Sequence, residues 1–143
     1  MNFNVKPFNE LTTTELYGIL KARAEIFVVE KKMNCQDLDG LDFICKHMYF
    51  EEDNNITAYL RAFYKSEDVV KISRVLTLEH GKGLGRKLME SCLTEIKKVL
   101  NCKKVILNAQ KDAVGYYKKM GFMVVSDEFI EEGIPHYAME MNI

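Results

Sequence analysis

Between the apolar run ISRVLTL and the segment KLMESCLTEIKKVL lies Glu79-His80-Gly81-Lys82-Gly83-Leu84-Gly85-Arg86, with glycine at three alternate positions. No other stretch constrains the chain as strongly, because one glycine would suffice for a reversal of direction. The run before it is short, apolar and rich in β-branched residues, as a strand is. The segment after it carries Leu84, Leu88, Leu93, Ile96 and Leu100 on one helical face, with lysines opposite. A strand that passes through glycines into a helix leaves backbone N–H groups uncovered beneath the positive end of the helix dipole. That arrangement makes an anion site. Lys82 and Arg86 add positive charge beside it. No Gly-Lys-Ser/Thr follows as in a triphosphate-binding loop, and the third glycine comes too early for the dinucleotide fingerprint.

The other segments arrange themselves around this unit. Phe3 to Phe8 alternates as an edge strand does, and Thr12-Thr13-Thr14-Glu15 offers a capping box to a helix carrying Leu16, Ile19 and Leu20. That helix continues or restarts through Ala24 to Glu30, and Asp39-Gly40 marks a turn in the loop after it. HMYFEE and ITAYLRAFY are strands joined by the hairpin tip Asp53-Asn54-Asn55, and Val69 to Leu78 is a third. After the glycine loop and its helix come the strand VILNA, the short helix DAVGYYKKM with its stop at Gly121, and two strands, FMVVSDEF and HYAMEM. Antiparallel strands come first and one strand–helix–strand crossover follows, which predicts a mixed α/β sheet with helices on both faces.

A chain of 143 residues supports one domain with its own core, so a single domain over residues 1–143 is expected. Twenty basic against 21 acidic residues give a net charge of −1, which argues against nucleic acid as a partner. Cys35, Cys45, Cys92 and Cys102 include no CxxC pair and fit no closed zinc pattern, so free thiols and no metal are expected. The start of the chain lacks an apolar signal region, and no apolar run reaches the ~20 residues a bilayer requires. A cytoplasmic protein with no membrane contact is the expectation.

ISRVLTLEHGKGLGRKLM resembles motif A of the GNAT superfamily of acetyl-CoA-dependent N-acetyltransferases, written Arg/Gln-x-x-Gly-x-Gly/Ala. His80 stands at the Arg/Gln position, and Gly83 and Gly85 match the glycines. Ala113 to Phe122, AVGYYKKMGF, is similar to the A-x-x-F-Y-x-x-x-G-F motif of the same superfamily. FVVEKKMNCQDLDGLD with His47 after it, and EEGIPHYAM from Glu131 to Met139, resemble the small bacterial ElaA-type branch. Together these segments span nearly the whole chain. The fold implied is the GNAT type, with a mostly antiparallel central sheet of about six to seven strands.

The resemblance also implies a set of roles. Acetyl-CoA would be the co-substrate, with its diphosphate on the loop from His80 through Gly81, Lys82, Gly83, Leu84 and Gly85 to Arg86. The strand Val75, Leu76, Thr77 would pair with the pantetheine arm, and Gln110 would contact the coenzyme. Tyr117 falls at the position that often protonates the leaving thiolate, and Glu79 is a candidate base. An alkyl ammonium with a pKa near ~10 must lose a proton before it can attack a thioester. Glu30, Asp39, Asp42, His47 and His136 are acceptor-site or base candidates from the two ElaA-like segments. Tyr116, Phe27, Tyr49 and Phe63 read as core or cleft wall. The acceptor implied is a primary amine of a small molecule or peptide, and a homodimer is the implied assembly. The alternative from another class is a non-catalytic acyl-CoA-binding module, which needs the glycines but not Tyr117.

Overall fold

The computed structural model describes residues 1–99 and 101–143, so the Leu100 position of the expected helix face lies outside the described residues. Eight strands form one sheet: β1 (Asn2–Pro7), β2 (Lys46–Glu52), β3 (Asn55–Ser66), β4 (Val69–Thr77), β5 (Lys104–Gln110), β6 (Met123–Val124), β7 (Phe129–Glu131) and β8 (Ile134–Asn142). Their order is β1-β2-β3-β4-β5-β8-β6, with β7 also paired to β8. Every pairing is antiparallel except β4 with β5. The segment expected as one strand, FMVVSDEF, is split into β6 and β7. After Val125 bonds the Ala138 carbonyl, the Ser126 hydroxyl accepts the Ala138 N–H, and a side chain thereby ends the ladder.

Helix α2 (Leu84–Val99) and the short α3 (Val114–Lys119) lie on one face of the sheet. There Leu88, Met89 and Ile96 of α2 meet Leu60, Ile72 and Leu107 of the strands. Helix α1 (Thr13–Arg23) covers the other face with Ile19, packed against Tyr49, Tyr59 and Leu76. It widens at its end into a π-helical stretch, Ala24–Glu30, whose Lys31 N–H reaches back five residues to the Ile26 carbonyl at 2.9 Å. The hairpin tip forms as expected: Asp53 and Asn54 both take positive φ, 51° and 64°, and join β2 to β3.

The capping box is also present. The Glu15 N–H donates to Thr12 Oγ1 at 3.0 Å and the Thr12 N–H to Glu15 Oε1 at 2.8 Å. Glu15 Oε2 accepts from Lys6 Nζ at 2.6 Å and from the Tyr49 hydroxyl at 2.8 Å, tying α1 to β1 and β2. Burial works to raise this carboxyl, but the hydrogen bonds from Lys6, Thr12 and Tyr49 prevail and lower it from 4.5 to about 2. A carboxyl depressed in the folded state contributes stability above its unfolded pKa, and that stability is lost as pH falls towards the folded one. The urea midpoint should therefore drop as pH falls from about 4.5 to about 2. Glu15→Gln should flatten that part of the profile, and identical profiles for the two proteins would refute the assignment.

Two departures from regular pairing open the sheet. β4 and β5 pair only from Val69↔Lys104 to Lys71↔Ile106. Beyond that point β4 continues to Thr77 and β5 to Gln110 without each other. On the opposite edge of β4 the register moves from Tyr59↔Leu76 to Arg61↔Ser73, so β4 holds one residue more than β3. The bulged residue is Arg74, at φ 56°. An extra residue inverts the alternation, turning Leu76 towards α1 and Val75 towards α2.

Candidate functional site

β4 ends at Thr77, and the loop from Leu78 to Gly83 delivers the chain to α2. Gly81 (φ 80°) and Gly83 (φ 71°) occupy the left-handed region, and a Cβ built on either would meet nothing within 4 Å. The concave side of the loop is thus open. The first helical hydrogen bond of α2 is Lys87 N–H to the Gly83 carbonyl at 3.2 Å. Among the described residues the N–H groups of Gly81 and of Gly83 to Arg86 have no acceptor in the chain. These free donors stand at the positive end of a 16-residue helix, which is what an anion requires.

Gly85 has a different reason to be glycine. Its φ is ordinary, but a Cβ there would lie 3.3 Å from the Tyr116 hydroxyl and 3.6 Å from Thr77 Cγ2. Two of the three glycines therefore serve backbone conformation, and the third serves close packing of α2 on α3 and β4. Lys82 pairs with Glu79, and Arg86 with Glu90 at 3.0 Å. Both pairs are more than half exposed at the cation, so solvent screens them and either cation can turn to an anion at little cost.

The gap between β4 and β5 runs up to this loop. Val75, Leu76 and Thr77 lie on the stretch of β4 beyond its pairing with β5, so their backbone on that side is unpaired by a strand. Gln110 closes the far end of β5, opposite His136 of β8. Tyr117 is buried in α3 at 7% exposure, its ring set edge-on to Tyr116 (5.1 Å) and Phe122 (5.8 Å). Its hydroxyl makes no hydrogen bond among the described residues, and burial raises its pKa well above 10. It is a protonated donor at any working pH.

The structure brings some of the sequence candidates together and separates others. Glu30, at the end of the π-helical stretch, meets His80 of the glycine loop at 2.9 Å, linking the two sides of the mouth. Glu79 stands beside them, exposed and paired with Lys82. His136 is buried, and its Nδ1 bonds the Ile134 carbonyl at 2.7 Å, so Nδ1 carries the proton in the neutral ring and Nε2 bears the lone pair. Nε2 lies 3.6 Å from the Glu131 carboxylate, Phe129 stacks on the ring, and Asn108 donates to Glu131 at 3.3 Å.

Asp42 and His47 belong elsewhere. Asp42 Oδ1 accepts from Arg23 at 2.6 Å and from Arg61 at 2.8 Å, and both guanidiniums are buried. Asp37 and Asp39 complete the cluster and reach Arg74 at the bulge. His47 is fully buried with both ring nitrogens used: Nε2 at 2.9 Å from the Asp42 carbonyl and Nδ1 at 2.7 Å from the Tyr59 hydroxyl. Burial lowers its pKa, so Nε2–H donates to the carbonyl and Nδ1 accepts from the phenol. Neither side chain presents a free polar edge to a substrate, and Asp39 is likewise committed to Arg61. Their bonds tie α1, β3 and the bulge of β4 to the loop before β2. The cluster was hidden in the sequence because its bonded partners are 14 to 37 residues apart and share no periodicity. Also hidden were Arg74, Asn108 as the partner of Glu131, and the stacked Phe129.

Cys45 and Cys92 are buried, with thiols raised to about 11 in the first case and further in the second, and all four cysteines are unpaired. Among the described residues no cluster of three His, Cys, Asp or Glu side chains is placed to hold a metal, and no helix is long and apolar enough to cross a membrane.

Residues 39–143 match the acetyltransferase (GNAT) domain. A UPF0039 protein of Schizosaccharomyces pombe is 35% identical, over 100% of this chain and 98% of its own. Protein ElaA of Escherichia coli is 32% identical, over 94% of this chain and 92% of its own. Among solved structures, an acyl-CoA N-acyltransferase from Pseudomonas aeruginosa superposes with a TM-score of 0.92 at 35% identity, covering 99% of both chains. A GNAT family acetyltransferase from Elizabethkingia anophelis with acetyl-CoA bound shares the fold at a TM-score of 0.65 and 15% identity, covering 99% of each. With most of its residues matched to that domain and with relatives aligned over nearly their full length, the chain belongs to the GNAT acetyltransferase family.

Proposed function

We propose that this protein is an acetyl-CoA-dependent N-acetyltransferase that acetylates a primary amine of a small molecule or peptide by direct attack in a ternary complex. The observation that carries this reading is the set of unpartnered N–H groups of Gly81 and Gly83 to Arg86 at the mouth of the β4–β5 gap. A diphosphate is the acceptor such a set fits, and the two left-handed glycines leave room for it. When bound, acetyl-CoA supplies the acetyl thioester. Lys82, Arg86 and the imidazole of His80 stand around the diphosphate cradle. The unpaired backbone of Val75, Leu76 and Thr77 offers donors and acceptors to an extended arm, as an edge strand does. Gln110, at the end of β5 beyond its pairing with β4, would contact the coenzyme.

The chain's residues divide the proton work. Tyr117 holds its proton and would offer it to charge developing on the departing sulfur. On the acceptor side, Glu30 and His136 face the amine, and Glu79 at the mouth supports a cationic substrate by its charge. The fixed tautomer of His136 leaves Nε2 free to take the ammonium proton, with Glu131 beside it to balance the imidazolium. The balanced net charge supports a small or peptidic acceptor rather than a nucleic acid, and the unpaired cysteines support a cytoplasmic place of action.

Isothermal titration with acetyl-CoA, using ATP as the control, tests the reading directly. Micromolar affinity for acetyl-CoA with little for ATP is expected. Equal binding of the two would identify a general phosphate site, and no binding of acetyl-CoA would overturn the proposal.

A further inference from the structure

The Tyr116 hydroxyl is a buried polar atom with no hydrogen-bond partner among the described residues. It lies against Gly85, 3.3 Å from where a Cβ would be, beneath the first turn of α2. The A-x-x-F-Y-x-x-x-G-F pattern has phenylalanine at this position, and a phenylalanine would fill the same space without the oxygen. Leaving a buried hydroxyl unsatisfied destabilises a protein, so an extra oxygen kept at this place calls for an acceptor. The chain supplies none, but the N–H groups of Leu84, Gly85 and Arg86 on the same turn are also waiting for one.

We infer that Tyr116 is a further coenzyme-binding residue, its hydroxyl donating to the diphosphate that caps α2. The inference rests on the coenzyme reading above. Gly85 then has a definite role, since any side chain there would push the hydroxyl off the turn. Burial and the neighbouring Glu90 raise the phenol's pKa against the opposing effect of Arg86, so it stays a donor across the working range. The Glu90–Arg86 pair is exposed and can open as Arg86 turns to the same anion.

Tyr116→Phe tests the inference through two readouts expected to move in opposite senses. Without ligand, the variant should melt at or above the wild-type temperature, because an unsatisfied hydroxyl has been removed. Its affinity for acetyl-CoA should fall about 10- to 100-fold, the range for a hydrogen bond to a charged acceptor. Adenosine 3′-phosphate 5′-diphosphate, the coenzyme without its pantetheine arm, should lose affinity by the same factor in a displacement titration. If the wild type does not bind acetyl-CoA, the coenzyme reading itself fails. If it binds and Tyr116→Phe binds equally well, Tyr116 has no such role. A loss confined to acetyl-CoA, with the fragment unaffected, would place the acceptor on the pantetheine arm and overturn the diphosphate assignment.

Discussion

Tyr117→Phe should lower kcat by about two orders of magnitude and leave acetyl-CoA affinity within about twofold of wild type. The phenol is buried and its pKa is held well above 10, so it enters the reaction fully protonated. A coenzyme thiolate, comparable to an ordinary thiolate with a pKa near ~8.5, is too weak a base to take that proton completely. The hydroxyl therefore acts mainly as a hydrogen-bond donor to charge building on sulfur, which sets the loss at the lower end of the ~10²–10⁴ range for positioned proton donors. The ring's edge-on contacts with Tyr116 and Phe122 survive the substitution. The lost hydroxyl had no partner within the chain, so stability should hardly change. Steady-state rates on an amine that the wild type acetylates, with parallel titrations of acetyl-CoA, would test this. A variant with undiminished kcat removes Tyr117 from the chemistry. A wild type that binds acetyl-CoA but acetylates none of a broad amine panel favours the binding-module alternative.

What the sequence disclosed and what it concealed follow from the range of the interactions involved. The capping box at Thr12, the tip at Asp53-Asn54 and the apolar face of α2 are decided within a few residues, and all three form as expected. The glycine loop is legible for the same reason, since positive φ at Gly81 and Gly83 is a local demand. The reason for Gly85 was hidden, because it depends on Tyr116, which lies 31 positions further along the chain and packs there only in the folded state. The bulge at Arg74 was also hidden: ISRVLTL reads as an uninterrupted strand, and an arginine at φ 56° is not a residue that advertises a left-handed conformation. The buried bonding of His47 and Asp42 was hidden because polar residues near a candidate cleft look alike whether they serve substrate or fold. Only burial and partners separate the two, and both are tertiary facts. The strand count fell short for a related reason, since the break between β6 and β7 depends on one hydroxyl taking a ladder bond from β8.

That buried ionic cluster carries the largest stability effect expected of a single substitution. Asp42→Ala should destabilise the protein by about 3–5 kcal/mol, lowering Tm by roughly 10–17 °C. One carboxylate oxygen serves both Arg23 and Arg61, which are 0% and 1% exposed, so its loss leaves two desolvated guanidiniums each short of an acceptor. Burial opposes the charge on Asp42, but the bonds from Arg23 and Arg61 outweigh it and hold the carboxyl below its usual 3.8. Its contribution is thus complete above that pH and disappears on acidification below it. Asp42→Asn keeps one acceptor oxygen and should cost less than Asp42→Ala. The damage should also reach the site. Arg23 fixes Asp37, Asp37 holds Arg74 at 2.8 Å, and Arg74 is the left-handed residue whose bulge turns Val75 and Thr77 towards α2 beside the gap. A non-glycine residue in that region costs about 1–3 kcal/mol and persists only where its surroundings enforce it. Asp42→Ala should therefore weaken acetyl-CoA binding even at temperatures where the variant remains folded, whereas a substitution of equal cost in the α2 core, such as Leu88→Ala, should not. Thermal denaturation and titration of both variants decide it. An Asp42→Ala protein that melts within about 2 °C of wild type would show that the guanidiniums find other acceptors or water. One that melts low but binds acetyl-CoA normally would show that the bulge stands without the cluster.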